Sequence, residues 1–383
     1  MRNDLKIIDC DRHVMEPADI WDKYLEPAYR HHNVKMPGWY SFGTTIDSVP
    51  SSRVGTAGIV PIETSPATPH VGMDRYPMWR SKFKESIYRR FDNVAYVNDL
   101  DREDVDMAVL FTSIGLYATY RDDIDPGLAA AMARAYNNWL HDYCSLDPAR
   151  MKGVCLLPFH DVKMAQQELR RAATELGMVG IFWRPNPVLG RRVSDGAYDP
   201  LFATCEELGM PMCSHEGQQE LLPYFARGRN NNQFTRHATC HPMEQMGSFL
   251  ALASDGVFDR FPKFRVAFLE SGSGWLPYWL ERLDVMHDNP IFRDGYKGKE
   301  RPSEYFRMGR CYISCESREE TIPLLSRLVG EDCLMWASDY PHPDDMEHFP
   351  NTVGGLFDNQ RISEEFRRKI LWDNPMRFYQ FEA

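Results

Sequence analysis

Short apolar runs alternate with helical patterns along most of the chain. From residue 99 onward, mainly apolar runs typical of buried strands are followed by stretches with apolar positions at helical spacing. With a first run at 5–10, the predicted strands are 5–10, 105–112, 152–158, 179–183, 210–215, 264–270, 311–315 and 333–338. The predicted helices are 16–21, 125–142, 162–176, 198–208, 241–255, 274–286, 319–328 and 363–371. Eight strands, most followed by a helix, predict a (β/α)8 TIM barrel, with a doubly wound sheet as the alternative.

Two stretches interrupt this repeat. Residues 30–97 are rich in Pro, Gly, Ser and aromatic residues with weak periodicity, and we predict that they form an insertion after the first strand and helix. Insertions of this length usually serve as lids or oligomer contacts. Residues 216–240 are polar and predict a second long loop. We expect residues 1–383 to form a single barrel domain that contains the insertion.

Composition narrows the classes of partner. A net charge of -11 argues against nucleic acid or an anionic membrane, because both favour a basic surface. No apolar run reaches the roughly 20 residues of a membrane span, and the N-terminus lacks the apolar core of a signal peptide. The nine cysteines form no CxxC pair, which is typical of buried thiols in a reducing compartment. We therefore expect a cytoplasmic protein.

The first predicted strand leads into a group of polar residues, Asp9, Asp11 and His13. Alternate residues of a strand share a face, so we expect these three side chains to project together. Two carboxylates and an imidazole suit a zinc, manganese or iron(II) ion. On this stretch alone, the alternative is that the aspartates are turn or N-cap residues.

Further polar residues end the later predicted strands, where the catalytic side chains of (β/α)8 barrels lie. They are Arg184, His215, Glu270, Glu316 and Asp339, with His241 opening the helix before the sixth strand and His342 following the eighth strand. Taken singly, these residues have structural alternatives. His215 suits a buried core histidine and Asp339 a helix cap, and Glu270 could neutralise Arg184. Taken together, His13, His215 and Asp339 favour a metal site.

Four motifs resemble the amidohydrolase superfamily, in the branch that contains aminocarboxymuconate semialdehyde decarboxylase and related aromatic-acid decarboxylases and carbon–carbon hydrolases. They are IDCDRHVMEP at 8–17, CSHEG at 213–217, FLESGSGWLP at 268–277 and WASDYPHP at 336–343. The resemblance implies metal ligands at Asp11, His13, His215 and Asp339, which leaves Asp9 as a structural residue or one that supports the ligands. The fourth strand has no lysine for a bridging carbamate, and Glu270 replaces the sixth-strand histidine of the decarboxylases.

The resemblance implies an enzyme that hydrolyses or non-oxidatively decarboxylates a small carboxylated substrate, through a metal-activated water or a metal-bound carboxylate. Asp339, or His241 with Glu270, would move the proton, and Arg184 would hold the substrate carboxylate. The first alternative is an oxygen-activating dinuclear iron or manganese hydroxylase, in which Glu270, His241 and His342 complete a second metal position. The distant alternative is a non-catalytic partner subunit with a structural metal. Assembly with an identical or a related chain is expected in each case.

Overall fold

The computed structural model describes residues 4–17, 19–34, 81–113, 121–216, 225, 233–342 and 346–382. Within these ranges, eight strands form a parallel sheet whose order follows the chain. The strands are β1 (Ile8–His13), β2 (Met107–Phe111), β3 (Met151–Cys155), β4 (Gly180–Trp183), β5 (Met212–His215), β6 (Val266–Leu269), β7 (Cys311–Cys315) and β8 (Leu334–Trp336). Helices lie between them, so the predicted (β/α)8 TIM barrel is confirmed.

The helices of the described residues lie mainly between strands. They are α1 (Ile20–Tyr24), α2 (Lys84–Tyr88), α3 (Asn93–Arg102), α4 (Pro126–Cys144), α5 (Val162–Thr174), α6 (Asp199–Leu208), α7 (Gln233–Ser254), α8 (Val257–Arg260), α9 (Leu276–Asp288), α10 (Pro302–Arg307), α11 (Ile322–Leu328), α12 (Gly354–Asp358), α13 (Glu364–Arg368) and α14 (Asn374–Tyr379). Short 3-10 helices cover 27–32, 196–198 and 346–348, and a π-helix covers 369–373. None of the helices in the described ranges is long and apolar enough to cross a membrane.

The chain divides into two compact units. Unit 1 comprises Met1–Val179 and Ser338–Gly354, and unit 2 comprises Gly180–Ala337 and Gly355–Ala383. In unit 1, β1 pairs with β2 and β2 pairs with β3. In unit 2, the strands from β4 to β8 pair in succession. A single domain over residues 1–383 stays a prediction.

The first strand lies later in the chain than predicted and contains the polar group itself. All six residues of β1 are buried. Its register against β2 shifts between Asp9 and Arg12, as at a β-bulge, where the regular alternation of side chains is lost. The Asp9 carboxylate instead accepts hydrogen bonds from the Ser338 amide at 3.0 Å and the Ser338 hydroxyl at 2.5 Å. The first expectation, that Asp9 projects together with Asp11 and His13, does not hold, and these contacts favour the interpretation of Asp9 as a structural residue.

Helix boundaries follow the local capping chemistry. The Asp125 side chain accepts from the Leu128 amide and Pro126 occupies the first turn, so α4 begins as predicted. Gly209 ends α6 with a φ of 68°, a left-handed conformation that glycine adopts easily. In contrast, α7 begins at Gln233, so the end of the predicted loop 216–240 is helical and His241 lies inside the helix. This start was missed because its first two turns are largely polar and carry weak helical periodicity.

All nine cysteines are free and buried, as predicted. Residues 35–80, which make up most of the predicted insertion 30–97, lie outside the described residues. The function of the insertion as a lid or an oligomer contact therefore stays a prediction.

Candidate metal and acid–base site

Unit 1 gathers a group of histidines and aspartates from β1 and the segment after β8. His13 Nε2 lies 3.2 Å from Asp339 Oδ1 and 3.5 Å from Asp11 Oδ1. His342 Nδ1 lies 2.9 Å from Asp339 Oδ1, and its ring centroid is 4.1 Å from that of His13. One ligand atom each from His13, Asp339 and His342 lies within 4.8 Å of the others, a spacing that can hold a metal ion.

Backbone hydrogen bonds within unit 1 hold this group in place. The His13 amide donates to Tyr340 O at 2.6 Å, and the Asp339 amide donates to Asp11 O at 3.0 Å. The His342 amide donates to Asp339 O at 2.8 Å and closes a turn. Asp339 has a φ of 55°, a left-handed conformation that costs a non-glycine residue of the order of 1 kcal/mol or more. The surrounding bonds impose that conformation on the carboxylate-bearing residue.

The donor set of unit 1 fits a metal ion. His13 Nδ1 is 2.7 Å from the Thr112 carbonyl, so Nδ1 carries the proton and the lone pair of Nε2 faces Asp11 and Asp339. These three groups are at most 6% exposed, so little water is available to offset their mutual repulsion. A cation bound between the imidazole and the two carboxylates removes this repulsion. Oxygen and nitrogen donors of this kind suit manganese, zinc or iron.

Unit 2 gathers a second group, composed of two histidines and two glutamates. His215 Nε2 lies 3.2 Å from Glu270 Oε2, and His241 Nε2 lies 3.3 Å from Glu270 Oε1 and 3.5 Å from Glu216 Oε2. Glu216 is 1% exposed, and burial raises the pKa of its carboxyl to about 7. Glu270 directly follows β6 with a φ of 48°, again in the left-handed region. The arrangement can share a proton between an imidazole and two carboxylates.

The orientation of His215 resembles that of His13. Its Nδ1 lies 2.6 Å from the Glu216 carbonyl, which assigns the proton to Nδ1 and leaves the Nε2 lone pair directed towards Glu270. A carbonyl partner on the second ring nitrogen is typical of metal-binding histidines. Both histidines therefore have the orientation that a ligand requires.

The remaining predicted residues separate into buried and exposed positions. Arg184 directly follows β4, is fully buried and donates to Pro187 O at 2.5 Å. Glu316 follows β7 but is exposed, and its amide donates to Glu319. The sequence did not single out Glu216, Glu16, Thr112 or Ser113. Of these four, only Glu216 carried a signal in the sequence, because it is a charged residue next to His215, a histidine at the end of a predicted strand.

Parallel (β/α)8 barrels with buried histidines and carboxylates at the strand ends are typical of metal-dependent hydrolases and lyases. The chain belongs to the amidohydrolase family (Amidohydro_2), whose model matches residues 91–381.

Similar proteins include several decarboxylases. The 2-amino-3-carboxymuconate-6-semialdehyde decarboxylase of Dictyostelium discoideum is 27% identical over 315 residues, which cover 77% of this chain and 79% of that protein. The gamma-resorcylate decarboxylase of Polaromonas sp. is 27% identical over 273 residues, which cover 67% of this chain and 78% of that protein. The crystal structure of 5-carboxyvanillate decarboxylase from Novosphingobium aromaticivorans, with bound manganese and 3-methoxy-4-hydroxy-5-nitrobenzoic acid, has the same fold. Its TM-score is 0.70 at 20% identity, covering 99% of this chain and 98% of that chain.

Proposed function

We propose that the protein is a metal-dependent enzyme that removes a carboxylate, without oxidation, from a small aromatic or conjugated substrate. The observation that carries the proposal is the likeness to two decarboxylases over at least 67% of this chain. Their names favour decarboxylation over the hydrolysis that the sequence left open. The oxygenase and structural-subunit alternatives gain no support from the relatives named above.

We propose Asp11, His13, His215 and Asp339 as ligands of a divalent ion. Support comes from the tautomers of both histidines, which direct Nε2 towards carboxylates, and from the manganese in the 5-carboxyvanillate decarboxylase crystal structure. When bound, such an ion orients a substrate carboxylate or lowers the pKa of a bound water. Manganese is the first metal to test.

Decarboxylation also needs a proton for the carbon that loses the carboxylate. We assign this task to His241 with Glu270, because His241 Nε2 lies 3.3 Å from Glu270 Oε1, close enough to pass a proton between the two side chains. Arg184 is the proposed donor to the substrate carboxylate, which its planar guanidinium matches. We also propose a cytoplasmic location, because nine free thiols suit a reducing compartment. Assembly with an identical or a related chain is proposed as well.

The test is a direct assay for carbon dioxide release. Full-length protein is stripped with a chelator, reloaded with manganese and incubated with 2,6-dihydroxybenzoate and with 5-carboxyvanillate, and the products are separated by chromatography. We expect one decarboxylated product per carbon dioxide released, no activity in the stripped protein and recovery with manganese. Oxygen consumption matched by a hydroxylated product would establish the oxygenase alternative instead.

A Glu270→Gln variant separates the two roles that the sequence left open for Glu270. If Glu270 assists proton transfer, kcat falls by about 10²-fold or more, because general acid–base groups contribute about 10² to 10⁴. The number of manganese ions per chain then stays at one. A drop from two ions to one, measured by atomic emission on the purified variant, would instead make Glu270 a metal ligand.

A further inference from the structure

A buried carboxylate outside the predicted site lies behind the group of unit 1. Glu16 is 3% exposed, and a single oxygen, Oε1, receives two hydrogen bonds from consecutive residues after β2. The Thr112 hydroxyl donates to it at 2.5 Å and the Ser113 amide donates at 3.1 Å. Glu16 therefore fixes both the side chain of Thr112 and the backbone of Ser113.

The same two residues contact both imidazoles of the group. The Thr112 carbonyl accepts from His13 Nδ1 at 2.7 Å, and the Ser113 hydroxyl lies 3.0 Å from His342 Nε2. His342 Nδ1 faces Asp339, so Nδ1 is the donor there and Nε2 accepts from the Ser113 hydroxyl. Both ring nitrogens of His342 are thus engaged in orienting contacts, which suits a positioning residue better than a ligand.

We propose that Glu16 is a positioning residue, which directs His13 and, through His342, Asp339 towards the metal by holding Thr112 and Ser113 in place. The inference rests on the proposed metal site. One buried carboxylate orients two imidazoles because the consecutive residues Thr112 and Ser113 provide the contact to each. Partners behind metal ligands typically contribute 10-fold to 100-fold to metal affinity.

The test measures manganese affinity of the full-length protein, after stripping, by titration followed with electron paramagnetic resonance. Glu16→Ala removes the acceptor and is expected to raise the Kd for manganese about 10-fold to 100-fold. Glu16→Gln keeps a carbonyl oxygen that can accept both hydrogen bonds, so it should restore most of the affinity. Ser113→Ala removes only the contact to His342 and should produce a smaller increase in Kd. Thr112→Val removes the hydroxyl that donates to Glu16, and its raised Kd carries the test if Glu16→Ala does not fold.

Glu168 provides a matched control for the loss of a buried carboxylate. It is also 3% exposed, and it accepts from Asn137 at 2.6 Å and from Arg171 at 2.8 Å. Neither of these partners belongs to the group of unit 1. Glu168→Ala should lower the free energy of unfolding yet leave the Kd for manganese unchanged. The inference is overturned if Glu16→Ala binds manganese like the wild type, or if Glu168→Ala weakens binding equally.

Failure of the proposed function is distinguishable from failure of this inference. Wild-type protein that binds manganese but releases no carbon dioxide would overturn only the reaction, and the affinities of the Glu16 variants would still decide the positioning role. Wild-type protein that binds no manganese would overturn the metal site and the inference together.

Discussion

Replacing His13 with alanine is expected to abolish tight manganese binding and to lower the rate of decarboxylation by about 10³-fold or more. His13 Nε2 lies within 3.5 Å of both Asp11 and Asp339, so its loss removes the nitrogen donor between the two carboxylates. Stabilisation of transition-state charge by a metal amounts to several kcal/mol, and about 4 kcal/mol corresponds to a factor of about 10³ in rate. The measurements are manganese per chain and kcat/KM in manganese-supplemented buffer.

His141→Ala is the matched control for this variant. His141 is an exposed histidine of α4, and its Nδ1 lies 3.0 Å from the Leu176 carbonyl, away from the proposed ligands in sequence and in contacts. It should retain both metal and activity. His13→Ala protein that keeps one tightly bound manganese and full activity would remove His13 from the ligand set.

Replacing Arg12 with alanine is expected to lower the free energy of unfolding by about 3 to 5 kcal/mol, because breaking a buried ion pair leaves an uncompensated charge. Arg12 is fully buried and lies 2.7 Å from Glu103 and 3.3 Å from Asp9. Its guanidinium carbon also lies 4.0 Å from the centroid of the Tyr340 ring, in a cation–π contact. Such a loss is a large part of the 5 to 15 kcal/mol that stabilises a typical domain.

The measurement is urea unfolding of metal-free protein, so that changes at the neighbouring Asp11 and His13 do not contribute through metal affinity. Arg368→Ala is the control, because Arg368 is 56% exposed and its partner Asp373, at 2.9 Å, is 32% exposed. Exposed ion pairs contribute at most about 1 kcal/mol. Equal losses for the two variants would show that burial does not set the contribution of the Arg12 pair.

The repeat of strands and helices was predictable because buried strands and amphipathic helices have different periods. Predicted and observed strands overlap at all eight positions, and β7 agrees to the residue. The bulge in β1 was not predictable, since register depends on the partner strand and no residue of Ile8–His13 marks it. Beside that shift, Asp9 accepts hydrogen bonds from Ser338, whereas His13 Nε2 lies close to both Asp11 and Asp339.

The candidate ligands were found because histidines and carboxylates at strand ends are recognisable in one sequence. Their supporting residues were not, because Glu16 and Thr112 are 96 positions apart and ordinary in type. The sequence also made His342 a candidate ligand, and only the Ser113 contact favours a positioning role instead. Whether a residue binds the metal or positions a ligand depends on contacts between distant segments, and the local sequence pattern does not indicate those contacts.

The left-handed backbone at Glu270 and Asp339 has a consequence for engineering. Glycine adopts this conformation at little cost, so a search for higher melting temperature alone would favour glycine at both positions. Each such gain would delete a carboxylate on which the proposed chemistry depends. Thermostable versions of this chain should therefore be selected with residues 270 and 339 held constant, and stabilising changes sought in segments remote from them.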